Sequence, residues 1–145
     1  MTPRLLVLFA GLFIAPDGLE NEDAKKMQGS WIAVGLEHDG IVEDATTKRA
    51  AYHFLADKFV FLIGDDEQRI TFRLDPSKSP KQFTLGDKGK PTLGIYEFKD
   101  DKLRICLPTK GDGKSPTEFT GGRGSMLLTL RRAKEGEIPA KPAKQ

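Results

Sequence analysis

The feature that most constrains this chain is a series of short alternating segments, each closed by turn residues, with no long helical stretch between them. Ser30–Glu37 (SWIAVGLE) alternates and stops at His38-Asp39-Gly40. Residues 41–49 are polar and read as loop or a helical turn. Ala50–Leu55 and Lys58–Ile63 form a hairpin across Ala56-Asp57, and Gly64-Asp65-Asp66 turns the chain again. Arg69–Leu74 puts Ile70, Phe72 and Leu74 on one face. Lys81–Leu85, Leu93–Phe98, Lys102–Leu107 and Ser125–Arg132 complete the set, the middle pair joined across Lys99-Asp100-Asp101. Eight short strands in sequence order predict an all-β fold, an antiparallel barrel or sandwich. An up-and-down barrel of eight leaves no edge to protect, and it is the architecture expected here.

The two ends read differently. Residues 1–15 (MTPRLLVLFAGLFIA) carry Arg4 and then an apolar run, the pattern of a signal peptide, which predicts export to the periplasm or beyond. Residues 16–24 lead into a short helix over Glu20–Gln28, with Asn21 as N-cap, acids first, lysines after, and Gly29 as its stop. The folded domain is expected over residues 25–133. Residues 134–145 hold Pro139, Pro142 and lysines with little to bury, and read as a disordered tail.

Composition excludes several functions. Lys plus Arg number 23 and Asp plus Glu 21, so a net charge of +2 supplies no global field for nucleic acid. The single cysteine, Cys106, rules out an internal disulfide and an all-cysteine zinc site. No apolar run reaches the roughly 18 residues of a membrane helix, so no span is expected in the mature chain.

The motifs that carry chemistry elsewhere are incomplete here. Gly113-Lys114-Ser115 resembles the end of a phosphate loop, but Pro108 stands where the first glycine belongs and Pro116 blocks the following helix. Thr120–Ser125 (TGGRGS) can nest an anion around Arg123 or simply turn the chain, and turn chemistry is the expected reading. His38 and His53 lack metal-ligand spacing, and no G-x-S-x-G elbow exists. Cys106 falls on the strand face opposite Leu103, Ile105 and Leu107 and reads as a packing residue. Glu97 and Glu118 are the acids within apolar stretches, and their spacing does not place them together. No catalysis, cofactor or metal is expected.

At Gln28-Gly29-Ser30-Trp31 the chain resembles the lipocalins, where a G-x-W opens the first strand and a basic residue of the last strand packs over the tryptophan. The order MQGSWIAVGLEHDG, FRLDPSKSPKQFTL, GIYEFKDDKLRICL, SPTEF and GSMLLTLRR resembles a lipocalin-like domain family abundant in planctomycete bacteria. The resemblance implies export, a small barrel, and a barrel-end cluster of Gly29, Trp31 and either Arg131 or Arg132. It implies no reaction.

Two functions follow from these expectations. One is an exported module that takes a small apolar or amphipathic ligand in the barrel, lined by Trp31, Phe61 and Tyr96, with Ala33 and Gly35 on the tryptophan's face leaving room. The other is a structural or protein-interaction domain of the cell envelope. Eight short strands leave a lumen that side chains can fill, and Phe54, Phe59, Phe61, Phe72, Phe83 and Phe98 supply the bulk.

Overall fold

The computed structural model describes residues 21–43, 51–63, 65–86, 89–110 and 114–137. The apolar segment 1–15, Gly113 and residues 138–145 lie outside the described residues. Helix α1 (Glu22–Met27) opens the described chain. The Asn21 side chain accepts a hydrogen bond from the Ala24 N–H at 2.7 Å, and Glu22 and Asp23 sit where the helix dipole favours acids. Ala24 and Met27, one turn apart, are buried.

Nine strand segments follow: β1 (Gly29–His38), β2 (Ile41–Glu43), β3 (Ala51–Leu55), β4 (Lys58–Ile63), β5 (Asp66–Asp75), β6 (Gln82–Leu85), β7 (Thr92–Lys99), β8 (Lys102–Pro108) and β9 (Ser125–Arg132). All neighbours are antiparallel, and β1 pairs with β9 to close the sheet. The segments β2 and β3 lie on the same side of β1, where Leu36 faces Glu43 and Ile32 faces Ala51. They are two halves of one barrel position, so the architecture is a closed eight-stranded up-and-down barrel preceded by a short helix.

Two boundaries differ from the sequence expectation. Residues 41–43 are strand, because the turn at Asp39-Gly40 (φ 49° and 83°) folds them straight back onto β1. The strand β5 begins at Asp66, which pairs with Ile63, three residues before the alternation is legible. Beyond the last strand, Arg131 Nη1 donates to Glu137 Oε1 at 2.9 Å, and that carboxylate accepts the Lys134 N–H at 2.8 Å. These bonds hold Glu137 down to about 2, below its ordinary 4.5. At the β7–β8 turn both Asp100 and Asp101 have positive φ (52° and 63°), the geometry of a tight hairpin whose twist suits its strands.

The interior is aromatic. Phe54, Phe72, Phe83 and Tyr96 are fully buried, with Phe59 at 4 % exposure. Phe83 stacks on Phe72 with centroids 5.8 Å apart and meets Phe54, Phe59 and Tyr96 edge-on at 6.2 to 6.5 Å. Leu103, Ile105, Leu128 and Leu130 close the opposite wall, and Met27 of α1 joins the same cluster from one end. Gly35 does not share the face of Trp31 and Ala33. A bulge between Ala33 and Gly35 shifts the phase of β1, so Leu36 packs inward and Gly35 pairs with Thr129 on the outside. No helix among the described residues is long and apolar enough to cross a membrane.

Candidate binding surface

The end of the barrel that carries α1 is closed by four interlocking contacts. Trp31 is 3 % exposed and donates its indole N–H to the Met27 carbonyl at 2.8 Å. Of the two arginines, Arg132 lies over Trp31, its guanidinium carbon 4.2 Å from the ring centroid. The same guanidinium donates to the carbonyls of Gln28 (2.6 Å) and Lys26, the unpaired end of α1. Gly29 makes room for it: φ is +116°, and a Cβ there would sit 2.7 Å from Arg132 Nη1. Arg131 points elsewhere, to Glu137.

On the other side of the helix, Asp23 Oδ2 accepts from the Tyr96 hydroxyl at 2.7 Å and from Lys81 Nζ at 2.9 Å. This latch joins α1 to β7 and to the residue before β6. Burial alone would raise the Asp23 pKa, but hydrogen bonds from Lys81 and Tyr96 outweigh it and hold it below 3.8. Burial, and then the bond to Asp23, push the Tyr96 phenol far above its usual 10. The latch therefore contributes stability fully above pH 3.8, and that contribution fades as pH falls through the folded Asp23 value. Urea melts should show Asp23→Asn less stable than wild type at pH 6, with the gap narrowing as the pH falls below 3.8. A gap constant with pH would remove the latch as its source.

Two solvent-open grooves flank this end. The first, about 520 Å³, runs between α1 and the β7–β8 turn and is lined by Lys26, Trp31, Phe98, the 99–102 turn and Arg132. The second, about 680 Å³, lies between α1, the 76–81 loop and β7, with Tyr96, Phe98 and Phe119 among its walls. Lys26 and Phe98 line both, and the Lys26 ammonium rests 4.4 Å over the Phe98 ring as the ridge between them.

The three residues expected to line a ligand site are separated. Trp31 and Tyr96 are at the helix end, each reaching the edge of one groove, and both have their polar atoms already bonded. Phe61 is half-buried beside Tyr52 and Phe59 (centroids 6.0 and 5.2 Å) and lines neither groove.

The remaining candidates lie on the outer face. Cys106 packs with Ile95, Leu127 and Phe119, and its thiol donates to the Thr120 carbonyl at 3.3 Å. Burial raises its pKa above 9.0, which keeps it a thiol at neutral pH. Arg104 bonds Glu97 (2.7 Å) and the Phe119 carbonyl (3.2 Å), pinning the covering segment 114–124, on which Glu118 stands exposed. His53 pairs with Ser30 at 2.9 Å, and His38 with Glu43 at 2.6 Å on a different hairpin. No three His, Cys, Asp or Glu side chains among the described residues group as a metal site. Lys114–Pro116 form no helix. In the TGGRGS stretch, Gly124 N–H donates to the Asp39 carboxylate at 2.7 Å and Gly121 accepts from the Gly40 N–H at 2.7 Å, so the loop is tied to the β1–β2 turn.

Sequence reading passed over the groove lysines. Lys26 reads in the sequence only as helix C-terminal charge, Lys78 falls between two strands, and Lys81 opens the short strand Lys81–Leu85. Their one signal was the dense PSKSPK run, which does not say what it folds against. Compared with known proteins, the chain matches no family model, no curated protein and no solved structure.

Proposed function

We propose that this chain is a non-catalytic protein-interaction domain, built on a side-chain-filled barrel and exported to the cell envelope. The observation that carries the reading is the aromatic packing of Phe54, Phe59, Phe72, Phe83 and Tyr96 across the interior. Rings at contact distance occupy the space a lumenal ligand would need, and interiors packed in this way have few voids larger than a water. Binding then falls to the outer surface. A lumenal site for a small apolar ligand has less support, since Trp31 and Tyr96 are committed to Met27 and Asp23. Export rests on the pattern of residues 1–15. Kinship with the lipocalin-like domains rests on the quoted motifs, and the stacking of Arg132 on Trp31 is compatible with it.

Native mass spectrometry of the protein purified from its host's envelope, against the same sample denatured, tests the reading. The expected result is a bare chain mass in both, with an N-terminus beyond residue 15. A reproducible extra mass lost on denaturation would restore the small-ligand reading. Recovery from the cytosol with residues 1–15 intact would end the export assignment.

A further inference from the structure

The charge of this protein is unevenly placed. The two grooves at the helix end are lined by six cations and four acids, the same excess of two that the whole chain carries. Two of those acids are spent, Asp23 on Lys81 and Tyr96, and Glu97 on Arg104. Lys26, Lys78, Lys99 and Lys102 take part in no ion pair among the described residues. A near-neutral barrel thus sets four ammonium groups without an ion pair around two adjoining grooves, with Asp100 and Asp101 between Lys99 and Lys102. Phe98 stands at their junction and Phe119 on the far wall.

We propose that these grooves form a docking surface for an extended acidic peptide segment of a partner protein, laid across the Lys26–Phe98 ridge. The inference rests on the interaction-domain reading above. Partner carboxylates would meet Lys78 in one groove and Lys99 and Lys102 in the other, and an apolar side chain would settle against Phe119 or the free edge of Phe98. Complementary charge of this kind sets on-rate and partner choice more than raw affinity. A flat anionic bilayer fits the shape less well. Asp100 and Asp101 stand exposed at the hairpin tip between Lys99 and Lys102 and would face the lipid phosphates. Asp100 and Asp101 also line the first groove, but a peptide there, unlike a lipid phosphate, can donate backbone N–H groups to their carboxylates while its own acidic side chains meet Lys99 and Lys102.

The test is fluorescence anisotropy of the full chain with a short labelled peptide repeating Glu-Glu-Phe, against the same peptide with Gln in place of Glu. The expected result is saturable binding of the acidic peptide, at least about tenfold tighter than the Gln version, weakening strongly between about 0.05 and about 0.5 M salt. Lys78→Glu and Lys99→Glu, one from each groove, should each weaken it about fivefold to tenfold. Both side chains are exposed, so thermal midpoints should not move. Equal binding of the two peptides, or no loss in either lysine variant, overturns the proposal. So does tighter binding to phosphatidylglycerol vesicles than to the peptide, which would make the surface a membrane contact. If the native mass is bare yet the peptides are not distinguished, only the acidic-peptide surface fails. A carried small molecule in the native sample would instead overturn the interaction reading beneath it.

Discussion

Phe83→Ala should cost about 3–5 kcal/mol of unfolding free energy in urea, with the slope of the transition unchanged. Phe83 is fully buried, stacks on Phe72 and touches Phe54, Phe59 and Tyr96 edge-on. The truncation loses both the transfer of the ring and the contacts of four neighbouring rings that cannot all close on the gap. The hole should also gain a function the parent lacks. An apolar cavity of that kind stays dry and takes up benzene-sized molecules. Benzene at 100 times its Kd would return about 2.7 kcal/mol to the variant and nothing to the wild type. A cost below about 1.5 kcal/mol would mean that the interior has slack. Stabilisation of the wild type by benzene would mean the same, and either result would reopen the lumen as a ligand site.

Gly121→Ala should cost about 3 kcal/mol, several times the effect of alanine at neighbouring glycines. A Cβ at residue 121 would sit 2.2 Å from Glu37 Cβ and 2.6 Å from the Glu37 carbonyl oxygen, so the loop would have to lift off β1. Lifting it would strain the Gly40–Gly121 hydrogen bond and loosen Phe119 over Cys106. Gly124→Ala meets open space and pays only for a φ of +82°, about 1 kcal/mol. Gly122→Ala has an ordinary contact, 3.4 Å from Thr120 Oγ1, and should be close to neutral. Chemical denaturation of the three variants gives the order directly. Gly124 as the most costly site would mean that the loop's turn geometry matters and its seat on Glu37 does not.

The barrel was legible because its information is local. Alternation in RITFRL, the punctuation of Ala56-Asp57 and Lys99-Asp100-Asp101, and the absence of any long helical period together define strands in order. Asn21 and the acid-to-lysine gradient marked α1, and the opposed faces of β8 put Cys106 away from Leu103 and Ile105. The phase of β1 was not legible past Ala33, because a bulge depends on the partner strand's register and leaves no mark of its own in AVGL.

What the sequence determined by itself is the architecture and a stock of aromatic side chains large enough to fill it, since both follow from period, turn chemistry and count. The tertiary structure alone decided which cations stand together at the helix end. Lys26 lies in α1, five strand segments before Lys78, and Lys99 ends β7 beyond a sixth. They converge because α1 is fastened to the barrel rim by Asp23 on Tyr96 and by Arg132 on its last carbonyls. A site assembled from three elements has no periodicity to read, and its existence depends on contacts between residues as far apart as Lys26 and Arg132.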